Sequence, residues 1–233
     1  MLNRIATAVV SVLLVAGLTY PASAKDEHDI RLVLQITVDG LRGDLLDRFG
    51  QHFGKHGFRY LLDNGSYFIN AHYQHANTET IVGHTTLATG ASPSVHGMIG
   101  NAWYDPESGS LGYNIEDPEY PLIPSRKDRV KGEQVDPAQQ AARSDGRSPR
   151  AVLAPTLADT LAAYYAGKSK VFGVSGKDRS AVAMAGHVGK AFWYSTNTGD
   201  MVTSKYYYED YPAWVSDWNV LRKAEKHAGT SWQ

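Results

Sequence analysis

The chain has 233 residues, 42% of them hydrophobic, enough to bury the core of one α/β domain or of one and a half smaller ones and too apolar for wholesale disorder. Its 23 Lys and Arg against 24 Asp and Glu leave a formal charge of −1, so the overall field gives no reason to expect nucleic-acid or anionic-membrane binding. Cysteine is absent, which excludes disulfides, thiolate metal sites and cysteine nucleophiles and restricts any metal to His, Asp, Glu or hydroxyl ligands.

Arg4, the apolar or small residues 5–18, and Ala22-Ser23-Ala24 are the three parts of a secretory signal. They predict a leader over residues 1–24, a mature chain over 25–233, and a periplasmic or secreted location. The alternative is an uncleaved anchor, but the apolar run is shorter than the ~20 residues a membrane span requires. No stable membrane anchor is expected.

Residues 31–38 (RLVLQITV) read as a buried strand ending at Asp39-Gly40, and Leu41, Leu45, Leu46, Phe49 and Phe53 then recur at helical spacing. Asp39 falls at the carboxyl end of that strand, the edge where open α/β sheets bind ligands. Asn64-Gly65 marks a turn, residues 66–71 a short strand, and Ile81, Thr85, Leu87 and Ala88 a helix stopping at Gly90 before Pro93. Residues 105–150, rich in Pro, Gly, Ser and charge, read as a surface excursion, either a lid or a decorated loop. A helix over 155–165, strands at 170–174, 180–185, 191–194 and 201–204, and a last helix over 211–221 complete the pass. The alternation predicts an α/β fold with a mostly parallel sheet sandwiched by helices.

A Walker phosphate loop, a G-x-S-x-G elbow and an H-E-x-x-H zinc helix are all missing from the sequence. What remains are polar residues just after strands. Asp39 is either a hard oxygen ligand for a divalent ion or a turn and capping aspartate. Thr80 opens a helix whose unpaired N–H groups favour an anion, though taken alone such a threonine is more often just an N-cap.

Asp39-Gly40-Leu41-Arg42, Thr80-x-x-Gly83-His84 with Thr89-Gly90, Pro93-Ser94-Val95-His96-Gly97, and Gly100-Asn101-x-Trp103-Tyr104-Asp105 follow one another in order. Together they resemble the N-terminal motifs of the alkaline phosphatase superfamily. The resemblance is closest to bacterial alkaline phosphatases with a threonine nucleophile, relatives of the nucleotide pyrophosphatase/phosphodiesterases. It implies that Asp39 is a zinc ligand, that Thr80 is both ligand and nucleophile, and that a complete enzyme holds two Zn²⁺. Thr80 would then form a phosphothreonine in hydrolysing a small phosphate ester. It places Asn101 on a phosphate oxygen, where the alternative is a turn residue. Lys177 and Arg179 resemble the Lys-x-Arg pair of the phosphomonoesterase branch. In a strand-like run they would face one side and one phosphate, whereas the alternative is a solvated charged run. His84 and His96 are expected to be structural.

The superfamily's later ligands, an Asp-x-x-x-His motif, an Asp-His pair and a further histidine, have no counterpart for the first two in this sequence. The expectation is therefore a domain incomplete at its C-terminus, one zinc site half built from Asp39 and Thr80, and little activity from this chain alone. Three functions stand open. Lys177 and Arg179 favour a phosphomonoesterase, while Asp39, Thr80 and Asn101 are shared with a phosphodiesterase or nucleotide pyrophosphatase. The missing ligands suit a non-catalytic secreted phosphate-binding domain. A sulfatase is disfavoured, since its C/S-x-P-x-R motif is absent.

Overall fold

The structure, a computed structural model, describes residues 30–125 and 138–231. The expected leader lies outside the described residues, as does the middle of the 105–150 excursion. The chain divides into two units, Met1–Thr37 and Val38–Gln233.

In the first unit, residues 30–37 take neither strand nor helix, and Leu32, Val33, Leu34 and Ile36 are exposed. This corrects the buried strand expected over 31–38. Branched apolar residues form a strand only where a neighbour takes up their backbone N–H and C=O groups, and periodicity does not report whether that neighbour is present.

The second unit begins with short helices α1 (Leu45–Phe49) and α2 (Phe58–Asn64). The strand expected over 66–71 does not form either; Tyr67, Phe68 and Ile69 are exposed there. Helices α3 (Thr80–Thr89) and α4 (Pro93–His96) follow, each stopped by a left-handed glycine, Gly90 at φ +67° and Gly97 at φ +81°. The sequence places the first of these stops correctly, because Gly adopts that conformation without a Cβ clash.

A hairpin of β1 (Ala102–Asp105) and β2 (Ser110–Tyr113) pairs Ala102 with Tyr113. Tyr113, Asn114, Ile115 and Ile123 are buried just beyond, as are Arg147 and Ser148, so the described parts of 105–150 contribute to the core rather than merely decorating the surface. Helix α5 (Leu157–Tyr164) leads to β3 (Phe172–Ser175), α6 (Asp178–Ala185), β4 (Lys190–Tyr194), β5 (Met201–Val202) and α7 (Ala213–Val220). Strands β3 and β4 are parallel and joined through α6, while β5 is antiparallel to β4, giving the order β3-β4-β5. The expected α/β class is therefore what is seen, with the parallel pairing concentrated in one βαβ unit.

Residues 180–185 belong to α6 and not to a strand. Their small-large alternation mimics period two, but Ala and Met are helix formers and an aspartate opens the first turn. Helix α6 lies close on β3: a Cβ at Gly173 would stand 2.3 Å from the Ala181 carbonyl oxygen. Helix α3 packs on α6, and Ile81, Val82, Ala181, Val182, Ala191, Trp193 and Val202 meet in one core with Tyr113, Ile115 and Met98. This packing brings the N-terminus of α3 and the β3–α6 turn to one edge. Among the described residues no helix is long and apolar enough to cross a membrane.

Candidate active site

Asp39 sits in a turn closed by the Leu41 N–H on the Val38 carbonyl oxygen at 3.4 Å, with Gly40 at φ +73°. That positive φ suits glycine and fixes where the Asp39 carboxylate emerges. Thr80, 8% exposed, is the first residue of α3, and its hydroxyl donates to Asp39 Oδ2 across 3.4 Å. Lys177 Nζ approaches the same oxygen to 3.9 Å. Lys177 is the N-cap of α6, so the starts of two helices, ten and eight residues long, converge on one carboxylate. Partial positive charge from both ends, with the lysine ammonium, makes this edge receptive to an anion.

Asn101 is held on three sides. Its N–H donates to Glu79 Oε2 at 2.6 Å, its side-chain Oδ1 accepts the Ile81 N–H at 3.1 Å, and its carbonyl oxygen accepts from Asn114. Because the Ile81 amide can only donate, the Asn101 oxygen must face α3. The Nδ2 hydrogens are left pointing away, with no partner among the described residues. Asn101 thus caps the helix that carries Thr80, from 20 residues further along the chain.

Arg179 is placed differently from the sequence expectation. It is the second residue of α6, only 2% exposed, and donates to the Tyr113 hydroxyl at 3.4 Å. Asp178 beside it, 1% exposed, accepts from Tyr113 at 2.6 Å, from Arg147 Nε at 2.7 Å and from the Arg179 N–H at 2.8 Å. Burial, and then the neighbouring Asp178 carboxylate, push the Tyr113 phenol far above its ordinary value. Arg147 also stacks over the Tyr113 ring, 4.9 Å from its centroid. The structure therefore brings Asp39, Thr80 and Lys177 together and places Arg179 in a buried ionic cluster just inside.

His84 Nδ1 bonds the Thr80 carbonyl oxygen at 2.7 Å, and His96 is fully buried. Sequence reasoning misses Glu79, Tyr113, Arg147 and Asp178. Asp178 carries a legible signal, an acid at the start of a helix; the reach of Glu79 to Asn101 carries none, since it depends on how the chain returns.

Two helix starts converge on a carboxylate-bound hydroxyl, on an α/β scaffold, and make an edge suited to an anion. The model of the family described as type I phosphodiesterase / nucleotide pyrophosphatase matches residues 33–232, and the chain belongs to this family. It is 36% identical over 226 residues to alkaline phosphatase PafA of Elizabethkingia meningoseptica, covering 96% of this chain and 39% of that protein. It is 32% identical over 203 residues to alkaline phosphatase PhoV of Synechococcus elongatus, covering 87% and 34%. A crystal structure of wild-type PafA superposes with a TM-score of 0.72 at 33% identity, over 83% of this chain and 35% of that one. The chain thus spans well under half the length of these relatives.

Proposed function

We propose that this chain carries the nucleophile side of a phosphomonoester hydrolase site, with Thr80 attacking phosphorus. The observation that carries the reading is the Thr80 hydroxyl, hydrogen-bonded to Asp39 at the N-terminus of α3 with Lys177 on the same carboxylate oxygen. Thr80 Oγ1 passes its proton to Asp39 Oδ2 and forms the bond to phosphorus as the bond to the leaving group's oxygen breaks, that oxygen taking a proton from water to become the alcohol; water then hydrolyses the phosphothreonine to free Thr80 and inorganic phosphate. The α3 N–H groups, the Asn101 Nδ2 and the Lys177 ammonium take up charge on the phosphoryl oxygens.

Asp39 Oδ2 and Thr80 Oγ1 are two hard oxygen donors close enough to share a divalent ion, and they fit zinc as two of its roughly four ligands. No group of three or more His, Cys, Asp or Glu residues clusters for a metal among the described residues. Bound at this pair, zinc would supply Lewis acidity, favouring the alkoxide over the weakly nucleophilic hydroxyl. The pattern at residues 1–24 supports export, and with it a periplasmic or secreted phosphate ester as substrate.

The burial of Arg179 favours a second reading. With Lys177 but not Arg179 at the edge, the site has less charge for a monoester dianion, which suits a phosphodiesterase or nucleotide pyrophosphatase. Zinc-dependent release of p-nitrophenol from p-nitrophenyl phosphate and from its bis ester, by the chain and by Thr80→Ala, tests both. The expected result is little turnover by the chain alone and, in a version extended to the length of its relatives, turnover favouring the monoester, lost in Thr80→Ala, with phosphate mapped to Thr80 by mass spectrometry. Turnover surviving Thr80→Ala would remove the nucleophile; preference for the bis ester would select the diesterase. Zinc-independent phosphate binding without turnover would point to a binding domain.

A further inference from the structure

Behind Asn101 runs a chain of hydrogen bonds whose direction is set by groups that can act in one way only. The Met98 N–H donates to His96 Nδ1 at 3.1 Å, so a neutral His96 carries its hydrogen on Nε2 and donates to Thr86 Oγ1 at 3.0 Å. At the far end, the Asn77 carbonyl oxygen accepts from His75 Nδ1 at 2.7 Å, so a neutral His75 presents a lone pair on Nε2. The Thr86 hydroxyl, 3.0 Å from that nitrogen, then donates to it. Thr86 receives one hydrogen and passes on another. Burial, followed by the nearby His75, holds the His96 imidazole below its ordinary range, in keeping with a neutral ring.

The chain continues towards the site. The Asn77 side chain donates to the Ile99 carbonyl oxygen at 2.7 Å and accepts the Glu79 N–H at 3.1 Å. Glu79 holds the Asn101 N–H, and Asn101 caps Ile81. Three successive segments are tied together: the 75–79 stretch that leads into Thr80, the middle of α3, and the end of α4.

We propose that Thr86, bridging His96 and His75, is a positioning residue: it fixes the 75–79 stretch so that Glu79 aims the Asn101 amide across the start of α3. It touches no ligand itself. That Asn101 meets phosphate rests on the functional reading above; the relay's control over Asn101 does not.

The test uses the full chain, Thr86→Val, which keeps the branched shape and removes the hydroxyl, and Thr86→Ser, which keeps the hydroxyl. Nitrogen-15 spectra of the wild-type imidazoles should show neutral His96 protonated at Nε2 and neutral His75 protonated at Nδ1. In Thr86→Val, which loses the bonds to both His75 and His96, amide exchange at Ile81 and Asn101 should quicken about tenfold relative to amides of Val182 and Ala183 in α6. Thr86→Ser should restore it. Titration with inorganic phosphate should then show weaker binding in Thr86→Val than in wild type or Thr86→Ser. A His96 protonated at Nδ1 would overturn the relay in the wild type alone, whether or not any variant folds. Equal acceleration at Ile81, Asn101 and α6 would also overturn it, making Thr86 a general stabilising residue. No phosphate response in the wild type would remove the functional reading, while the exchange rates would still decide the relay.

Discussion

Lys177 and Arg179 are two residues apart and carry the same charge, yet the structure gives them opposite surroundings. Read as a strand, period two puts both on one side; in a helix each residue turns about 100°, so two positions separate side chains by about 200°. Because α6 begins between them, Lys177 stays at the edge and Arg179 turns into the protein. Lys177→Ala should therefore change stability by no more than about 0.5 kcal/mol in urea unfolding while weakening phosphate binding. Arg179→Ala should cost about 3 kcal/mol, since it empties the space of a large buried side chain and removes the guanidinium bonded to the Tyr113 hydroxyl. Equal, small losses from both would mean Arg179 reaches the surface. Within the same cluster, Tyr113→Phe deletes the hydroxyl that donates to Asp178 and should cost about 1–2 kcal/mol by the same measurement. The residue types of the site were legible because Asp39, Thr80 and Asn101 stand in ordered motifs. The facing of Lys177 and Arg179 was not, because two residues before a helix start look like two residues in a strand.

At the scale of an element, α5 shows what a complete local signal provides. Thr156 and Asp159 form a capping box: the Thr156 side chain accepts the Asp159 N–H, and the Asp159 carboxylate accepts the Thr156 N–H at 2.8 Å. The sequence places this helix within two residues of its observed ends, whereas residues 31–38, with a stronger apolar pattern, form no strand. The difference is physical: a cap is satisfied within four residues, a strand only by another part of the chain. Asp159 also accepts the N–H groups of His187 and Val188 and faces His187 Nδ1 at 2.9 Å, thereby pinning α5 to the turn after α6. Burial pushes its carboxyl up, but these bonds together outweigh burial and hold it below the ordinary value. A carboxylate depressed in the folded state stabilises fully above the unfolded value near 3.9, and the contribution is lost as pH falls through the lower folded value. Asp159→Asn should thus cost about 2–3 kcal/mol at neutral pH. The gap between the urea midpoints of the two proteins should persist down to about pH 4 and close below it. A gap unchanged at lower pH would show that the carboxylate's charge is not what these donors need.

Across the whole molecule, the family was legible because its motifs keep their order through α3, α4 and β1, of which α3 is largely buried. What the sequence could not report is which apolar residues find cover. Leu34 and Ile36 are 72% and 70% exposed, and Val174, Trp214 and Trp218 line an apolar cleft of about 220 Å³ elsewhere. Apolar surface left in water favours burial by about 25 cal/mol for each Å² covered, and contiguous exposed patches of it drive association. An extended apolar segment is especially prone, since its backbone can pair with another copy. Sedimentation velocity should therefore show association rising with concentration, and Leu34→Lys with Ile36→Lys should reduce it by making both pairing and burial unfavourable. If this double variant associates as the parent does while Trp214→Lys disperses it, the aromatic cleft is the adhesive surface and residues 30–37 are inert towards other copies. If the parent remains monomeric up to high concentration, the exposure of Leu34 and Ile36 does not persist in solution, and the segment is covered by the chain itself.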